Sequence, residues 1–283
     1  MSKQPVISCE FFPPKTEKGA QNLILVQEQL SVLKPEFYSV TFGAGGSTQD
    51  NTLEAVVEIQ RRAQKTGIGA APHLSCVGSS KERIRTILQT YIDNDISRVV
   101  ALRGDLPSGM RDPGDFRYAN ELVEFIRNET GDHFTIEVAA YPEVHPQAQD
   151  ANSDFENFKR KVDAGANSAI TQYFYNIDAY LYFADRCMQA GIEIPIIPGI
   201  MPINNYSQLA RFSTGCGAEI PRWLRKKLEA YYDDIPSMQA FTTDFLTDFT
   251  EQLLEIDVPG LHFYSMNKAD PVLTVCERLG LVR

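Results

Sequence analysis

Eight short apolar segments alternate with longer segments of helical periodicity along this 283-residue chain. The short segments are rich in β-branched residues, whereas in the longer ones apolar residues recur at the spacing of one helix face. The stretch from Ile84 to Tyr91 shows this spacing, and so does the stretch from Tyr180 to Cys187. The alternation predicts parallel strands joined by crossover helices.

The predicted strands are residues 6–11, 37–42, 69–75, 98–102, 135–141, 168–174, 196–200 and 261–264. Glycines that can end a helix in the left-handed conformation follow several helical stretches, at Gly67, Gly131, Gly165 and Gly191. Eight such units without a break in composition predict an α/β fold, a (β/α)8 or TIM barrel, as a single domain over residues 1–283. An open doubly wound sheet is the alternative that this pattern leaves open.

Two helices, at residues 221–230 and 241–254 with a turn at 232–236 between them, are predicted in the long connection before the last strand. Ser153 and Glu156 have the spacing of a capping box at a helix start.

The charge and the apolar content exclude several classes of partner. A formal net charge of −10 disfavours nucleic acid and anionic membrane surfaces. No stretch approaches the roughly 20 apolar residues of a membrane span, so we expect a cytoplasmic protein without a membrane partner. The five cysteines are scattered without a C-x-x-C pair, and they are predicted to be reduced core thiols.

Polar residues stand at the predicted carboxyl ends of seven strands, where barrels of this type carry their chemistry. They are Glu10, Thr41, His73, Arg103 with Asp105, Tyr141 with His145, Gln172, and Asn267 with Lys268. Each could be an ordinary hydrogen-bonded residue, but the repetition at seven strand ends indicates one shared site.

Glu10 lies between Ile7 and the Phe11-Phe12 pair, so burial is expected to raise its pKa toward the range of a general acid. A buried structural glutamate is the alternative reading. Arg103 and Asp105 flank Gly104, which would let the arginine reach an anion while the carboxylate faces another ligand; a plain ion pair between them is equally compatible with the sequence.

The glycine-rich stretch at residues 43–48 is a weak candidate for binding phosphate. Thr48 stands where the dinucleotide-binding pattern needs a third glycine, and a tight turn is the favoured interpretation. The four histidines have no metal-ligand spacing, so no metal site is predicted.

The strand-end motifs resemble those of the methylenetetrahydrofolate reductase family. They include S-C-E-F-F-P-P, T-F-G-A-G-G, A-P-H-L-S-C, A-L-R-G-D-L-P, A-A-Y-P-E-V-H-P, K-V-D-A-G-A-N-S-A-I-T-Q-Y-F and H-F-Y-S-M-N, in family order from Ser8 to about Asn267. The resemblance implies a barrel that holds FAD at the strand ends and reduces 5,10-methylenetetrahydrofolate to 5-methyltetrahydrofolate. Hydride would pass from a reduced nicotinamide through FAD in two half-reactions; NADH is favoured over NADPH as the reductant, but the sequence does not decide between them. A homo-oligomer is also expected.

The resemblance also implies roles for individual residues. Glu10 matches the acid that opens the folate ring, and Asp105 matches the carboxylate that faces the pterin and tunes the flavin. The implied substrate-binding residues are Gln172, Gln208, Phe212 and Lys268, the last at a position where some relatives carry arginine. The implied FAD-binding residues are Thr41, His73, Arg103, Gly104, Asp105, Tyr141, His145, Asp154 and Lys161.

Two rival functions remain at this point. One is a flavin-free barrel lyase or aldolase that uses Glu10 and Lys268, and the other is a non-catalytic flavin or folate carrier, such as a subunit of a larger redox complex.

Overall fold

The computed structural model describes residues 5–42, 49–105, 114–231 and 234–282. Within these ranges the chain forms nine strands: β1 Val6–Phe11, β2 Phe37–Val40, β3 Gly69–Ser75, β4 Arg98–Leu102, β5 Thr135–Ala140, β6 Ser168–Thr171, β7 Ile196–Ile197, β8 Gly199–Ile200 and β9 Gly260–Tyr264. The α-helices in the same ranges are α1 Glu17–Leu30, α2 Gln49–Thr66, α3 Lys81–Asp93, α4 Ala119–Thr130, α5 Ala151–Asp163, α6 Ile177–Gln189, α7 Tyr206–Cys216, α8 Arg222–Ala230, α9 Ile235–Glu255 and α10 Asp270–Arg278. The glycine-rich stretch at 43–48 lies outside the described residues.

The strands form one parallel sheet in the order β7-β6-β5-β4-β3-β2-β1-β9-β8. β7 pairs with β6 and β8 pairs with β9, and Pro198 alone separates β7 from β8 in the chain. One short stretch therefore joins the two edges of the sheet and closes the barrel. The predicted α/β barrel of the (β/α)8 type is confirmed.

Pro198 explains why the predicted strand at 196–200 is two short strands. Proline has no backbone N–H to donate to a ladder. Its carbonyl still accepts a hydrogen bond of 3.0 Å from the His262 N–H on β9. The backbone thus changes ladder partner at the proline, from β6 before it to β9 after it.

Three strands end earlier than predicted, each at its last residue with a ladder partner. β2 ends at Val40, β5 at Ala140 and β6 at Thr171. The predicted site residues Thr41, Tyr141 and Gln172 therefore lie just beyond their strands. They lie at the carboxyl ends of the strands, which is the end of a barrel that carries ligand sites.

The barrel interior is apolar in the middle. Phe37, Ala71, Val100 and Ile170 come from four different strands and form a buried cluster separate from the larger core. The larger core packs the outer faces of the strands against the helices, with residues such as Tyr38, Val99 and Ile136. Because side chains alternate along a strand, the two clusters occupy the inner and outer faces of the sheet.

The helices of the long connection begin and end slightly differently from the prediction. α9 begins at Ile235 because the Asp234 side chain accepts a hydrogen bond from the Ser237 N–H, so Pro236 lies in the first turn and not in a separate turn. The predicted capping box is wrong: Asp150 is the N-cap of α5, and Ser153 is its reciprocal partner. Among the described residues, no helix has the length and apolar character that a bilayer crossing requires.

Barrel closure requires a residue without a side chain at position 199, and this requirement can be tested. A Cβ atom there would lie 2.2 Å from the Thr171 carbonyl oxygen and 2.6 Å from the Tyr264 ring, and neither neighbour can move freely. Gly199→Ala should lower the free energy of unfolding by about 1–3 kcal/mol, measured by urea denaturation. As a control, Gly215→Ala on α7 meets no atom within 4 Å and should change it by no more than about 1 kcal/mol. Equal stability of the two variants would contradict this account of closure.

Candidate active site

Pairing of the first and last strands builds a polar cluster inside the barrel. Ser8 lies opposite His262, and Glu10 lies opposite Tyr264, so these side chains share the inner face. The Ser8 hydroxyl oxygen is 2.7 Å from Nδ1 of His262. Nε2 of His262 is 3.6 Å from Oε2 of Glu10, and the His262 side chain is fully buried.

A second imidazole reaches Glu10 from β3. Nε2 of His73 lies 3.1 Å from the same Glu10 oxygen, and the Glu10 side chain is only 13% exposed. Burial by itself raises the pKa of Glu10, but the nearby imidazoles of His73 and His262 outweigh it and lower the pKa to about 2. The expectation of a raised Glu10 pKa is therefore wrong. The two histidines that lower the pKa are distant from Glu10 in the sequence, so local reasoning did not include them.

Glu10 forms part of the wall of a cavity of about 220 Å³ at the barrel mouth. The other lining residues are mostly apolar or aromatic: Phe11, Phe12, Gln172, Tyr173, Met201, Phe212, Cys216, Tyr264 and Met266. Three predicted site residues, Glu10, Gln172 and Phe212, thus meet in one cavity. Such a cavity suits a flat ligand with a few polar atoms at one edge.

The α7 helix supplies one wall of this cavity. Gln208 precedes Phe212 by one helical turn on the same face, and the Asn205 side chain caps the helix by accepting from the Gln208 N–H. The Tyr173 hydroxyl lies 2.9 Å from the Ser213 hydroxyl and 3.4 Å from the Cys216 sulfur. These contacts fix α7 against the segment that follows β6.

A second group of predicted residues begins with the turn after β4. Gly104 has a φ of +82°, and a Cβ atom there would lie 1.7 Å from the Ser75 hydroxyl oxygen, so glycine is required. The Ser75 hydroxyl donates to the Arg103 carbonyl at 3.0 Å. The Arg103 guanidinium contacts the Gln147 side chain and donates to the Gly104 carbonyl, whereas Asp105 is exposed. The contacts of Arg103 are therefore not those of a plain Arg103–Asp105 ion pair.

The segment after β5 and the α5 helix complete this second group. The rings of Tyr141 and His145 meet edge to face with centroids 4.6 Å apart. The Asp154 carboxylate accepts from the His145 N–H at 2.9 Å, so it fixes the turn before α5. The Lys161 ammonium contacts the Ala139 carbonyl, and burial lowers the pKa of Lys161 to about 8, although Asp154 opposes this shift. Burial likewise lowers the pKa of His145.

Tyr141 connects the two groups. Burial raises the pKa of Tyr141 to about 12, with further contributions from Cys216 and Asp105. Cys216 lines the Glu10 cavity, whereas Asp105 belongs to the turn after β4. Thr41 also lies at this end of the barrel, since its N–H donates to the Phe11 carbonyl at 2.9 Å. Thr41 and Tyr141 therefore lie near residues that line the Glu10 cavity, whereas Tyr141, Asp154 and Lys161 themselves line a separate pocket beside α5 and α6.

Lys268 lies apart from the Glu10 cavity. Its side chain is exposed and lines a separate groove of about 720 Å³ between α1, α9 and α10. Met266 lines both the cavity and the groove. The structure therefore brings Lys268 next to the mouth without bringing it to Glu10.

Sequence reasoning missed Ser8, His262, Tyr264, Met266 and Cys216 as site residues. The first three carried a usable signal, because Ser8 with Glu10 and His262 with Tyr264 alternate on the inner faces of two strands. Met266 and Cys216 gave no such signal, since their place in the cavity depends on how the loops and α7 pack.

Known proteins resemble this chain in sequence and in structure. A sequence model of methylenetetrahydrofolate reductase matches residues 1–280. The 5,10-methylenetetrahydrofolate reductase of Escherichia coli (strain K12) is 42% identical over 275 residues, which cover 97% of this chain and 90% of that protein. Methylenetetrahydrofolate reductase (NADH) 1 of Arabidopsis thaliana is 39% identical over 292 residues, which cover 99% of this chain and 49% of that protein.

Solved structures share the fold at low sequence identity. A Clostridium thermocellum protein that binds two copies of 5-methyl-5,6,7,8-tetrahydrofolic acid has a TM-score of 0.67 at 16% identity, covering 99% of this chain and 94% of that one. A dihydropteroate synthase from Xanthomonas albilineans, in complex with 7,8-dihydropteroate, has a TM-score of 0.52 at 11% identity and covers 99% and 93% of the two chains. From its sequence relatives, the chain belongs to the methylenetetrahydrofolate reductase family of oxidoreductases.

Proposed function

We propose that this protein reduces 5,10-methylenetetrahydrofolate to 5-methyltetrahydrofolate, with hydride from NADH carried through bound FAD. The observation that carries the proposal is the position of the Glu10 carboxylate, 3.1 Å from His73 and 3.6 Å from His262, in the wall of an aromatic-lined cavity that also contains Gln172. The names of the sequence relatives agree with this substrate, and that of the Arabidopsis thaliana relative agrees with NADH.

The second group of residues has the chemistry that FAD requires. Gly104 lets the backbone approach a ligand closely, and Arg103 and Lys161 supply cations for a pyrophosphate. The Lys161 ammonium is held by a neutral carbonyl, and its lowered pKa means that its charge is incompletely compensated. A phosphate would compensate that charge. When bound, FAD supplies the redox chemistry, because it can accept hydride from a nicotinamide and pass hydride to folate.

Folate would occupy the Glu10 cavity with its pterin edge toward polar groups. The Gln172 amide can donate to and accept from the pterin, while Asp105 accepts from its N–H groups. Phe212 offers a ring face for stacking, with Gln208 one turn away on the same side of α7. The same face could contact the nicotinamide in the other half-reaction.

Glu10 would transfer the proton that opening of the folate ring requires. Its lowered pKa means that it is a carboxylate before folate binds, so the proton must come from elsewhere in its cluster. Of Glu10, His73 and His262, Glu10 is the member that lines the cavity among the described residues. We infer that Glu10 relays a proton from an imidazole to the folate nitrogen that leaves the methylene carbon. The resulting iminium carbon then accepts hydride.

The rival lyase needs Glu10 and Lys268 to act on one substrate carbon. Lys268 is exposed and lines the groove between α1, α9 and α10, whereas Glu10 lines the cavity, which weighs against that pairing. The carrier hypothesis predicts no steady turnover by the isolated chain. Homo-oligomer formation and a cytoplasmic location stay predictions.

Glu10→Gln tests the proposed role in the separate half-reactions. Anaerobic reduction of the flavin by NADH should stay within a few-fold of wild type, whereas reoxidation by methylenetetrahydrofolate should slow by about 100-fold or more. The expected cause is loss of the group that can pass a proton to folate. Flavin absorbance in stopped flow follows both steps, and Glu124→Gln, which changes an exposed carboxylate on α4, is the matched control. Equal slowing of both half-reactions would contradict the assigned role.

Lys161 makes the affinity for FAD depend on pH. A lysine with a pKa of about 8 loses its charge above that pH, so FAD binding should weaken as the pH rises from about 8 toward 10. Lys161→Met should bind FAD more weakly at pH 7 and lose this dependence, as measured by titrating flavin-free protein with FAD. Lys159→Met on the same helix, where Lys159 pairs with Asp163, should behave like wild type. An unchanged pH profile in Lys161→Met would argue against a phosphate contact.

A further inference from the structure

We propose that Asn267 is a positioning residue for folate: its side-chain amide fastens the loop after β1 to the loop after β9, and so fixes Phe12 and Met266 at the rim of the Glu10 cavity. The inference rests on the proposed function for the identity of the ligand. It assigns Asn267 no contact with the reacting atoms.

The Asn267 amide makes two hydrogen bonds to the main chain of one residue. The Phe12 N–H donates to Oδ1 at 2.8 Å, and Nδ2 donates to the Phe12 carbonyl at 3.0 Å. A side chain thus provides the donor and acceptor that a neighbouring strand would provide. The last ladder pair of β1 and β9 is Glu10 with Tyr264, so this amide clamp continues their pairing beyond the sheet.

A second set of bonds joins the same two loops at Glu10. The Glu10 carbonyl accepts from the Ser265 N–H at 3.2 Å and from the Ser265 hydroxyl at 2.6 Å. The backbone of Glu10 is therefore tied to the loop after β9, while its carboxylate is held by the two histidines. Together with the amide clamp, these bonds tie both Glu10 and Phe12 to the loop after β9.

The backbone conformation at the clamp is unusual for residues with side chains. Among the described residues, five non-glycine residues have a positive φ, and three of them, Lys34, Asp95 and Asp257, precede a strand at the opposite end of the barrel. The other two are Met266 and Asn267, both at φ 55°, in the loop after β9. Asparagine tolerates this region, but methionine does not favour it. Strain of this kind persists where surrounding contacts impose it, and the amide clamp is such a contact.

The clamp determines where two apolar side chains stand. Phe12 is 40% exposed, so burial does little to fix its ring, and its place depends on its backbone. Met266 lines both the Glu10 cavity and the groove that contains Lys268. We therefore expect the clamp to set the opening through which a flat ligand reaches Glu10.

Two variants separate the clamp from the backbone conformation. Asn267→Gly keeps the positive φ available and removes both hydrogen bonds, and Asn267→Ala removes both and disfavours the positive φ. Both should weaken binding of 5-methyltetrahydrofolate by about tenfold, measured by isothermal titration calorimetry on the purified holoprotein. Flavin reduction by NADH should stay within about twofold of wild type, since the Asn267 side chain bonds to Phe12 and is not proposed to contact FAD or the nicotinamide.

The control is Asp257→Gly, which changes a left-handed residue at the other end of β9 and should leave folate affinity unchanged. If Asn267→Gly binds folate as wild type does, the inference is overturned. It is also overturned if Asn267→Gly slows both half-reactions equally, since that would indicate a general structural role. Failure of wild type itself to bind the folate would instead overturn the proposed function, so the two outcomes are distinguishable.

Discussion

The pairing of β1 with β9 is the contact on which the site depends. It joins the first strand to the last, and it places His262 and Ser265 from the end of the chain against Ser8 and Glu10 from its beginning. Without this pairing Glu10 would be a carboxylate on an exposed edge strand. With it, Glu10 becomes the buried centre of a cluster at the carboxyl end of the barrel, where neighbouring strands contribute residues to one mouth.

Two opposing effects act on Glu10, and their balance decides what it can do. Burial favours the neutral acid, whereas the two imidazoles favour the carboxylate, and the imidazoles prevail. A protonated Glu10 would be ready to act before folate arrives. Under the proposed function, an ionised Glu10 would instead receive a proton from its surroundings, and the two histidines are the groups nearest to its carboxylate.

The fold was predictable from sequence because the alternation of strand and helix is local, and each strand was found close to its predicted place. The split at Pro198 was not predicted, because the apolar run at 196–200 was interpreted as one strand and the missing N–H of the proline was not considered. The polar strand ends correctly indicated that Glu10 and Gln172 lie together, since both line one cavity. The sign of the pKa shift at Glu10 was beyond local reasoning, because His73 and His262 reach it only after the barrel closes.

The central claim is that barrel closure keeps Glu10 ionised at the wall of the ligand cavity. The most direct test is NMR of protein labelled with ¹³C at the glutamate side-chain carboxyls, with the Glu10 signal assigned by its absence in Glu10→Gln. The account predicts that this signal keeps the carboxylate chemical shift at pH 4, where exposed glutamates have begun to titrate. A Glu10 signal that titrates at pH 5 or above would contradict it.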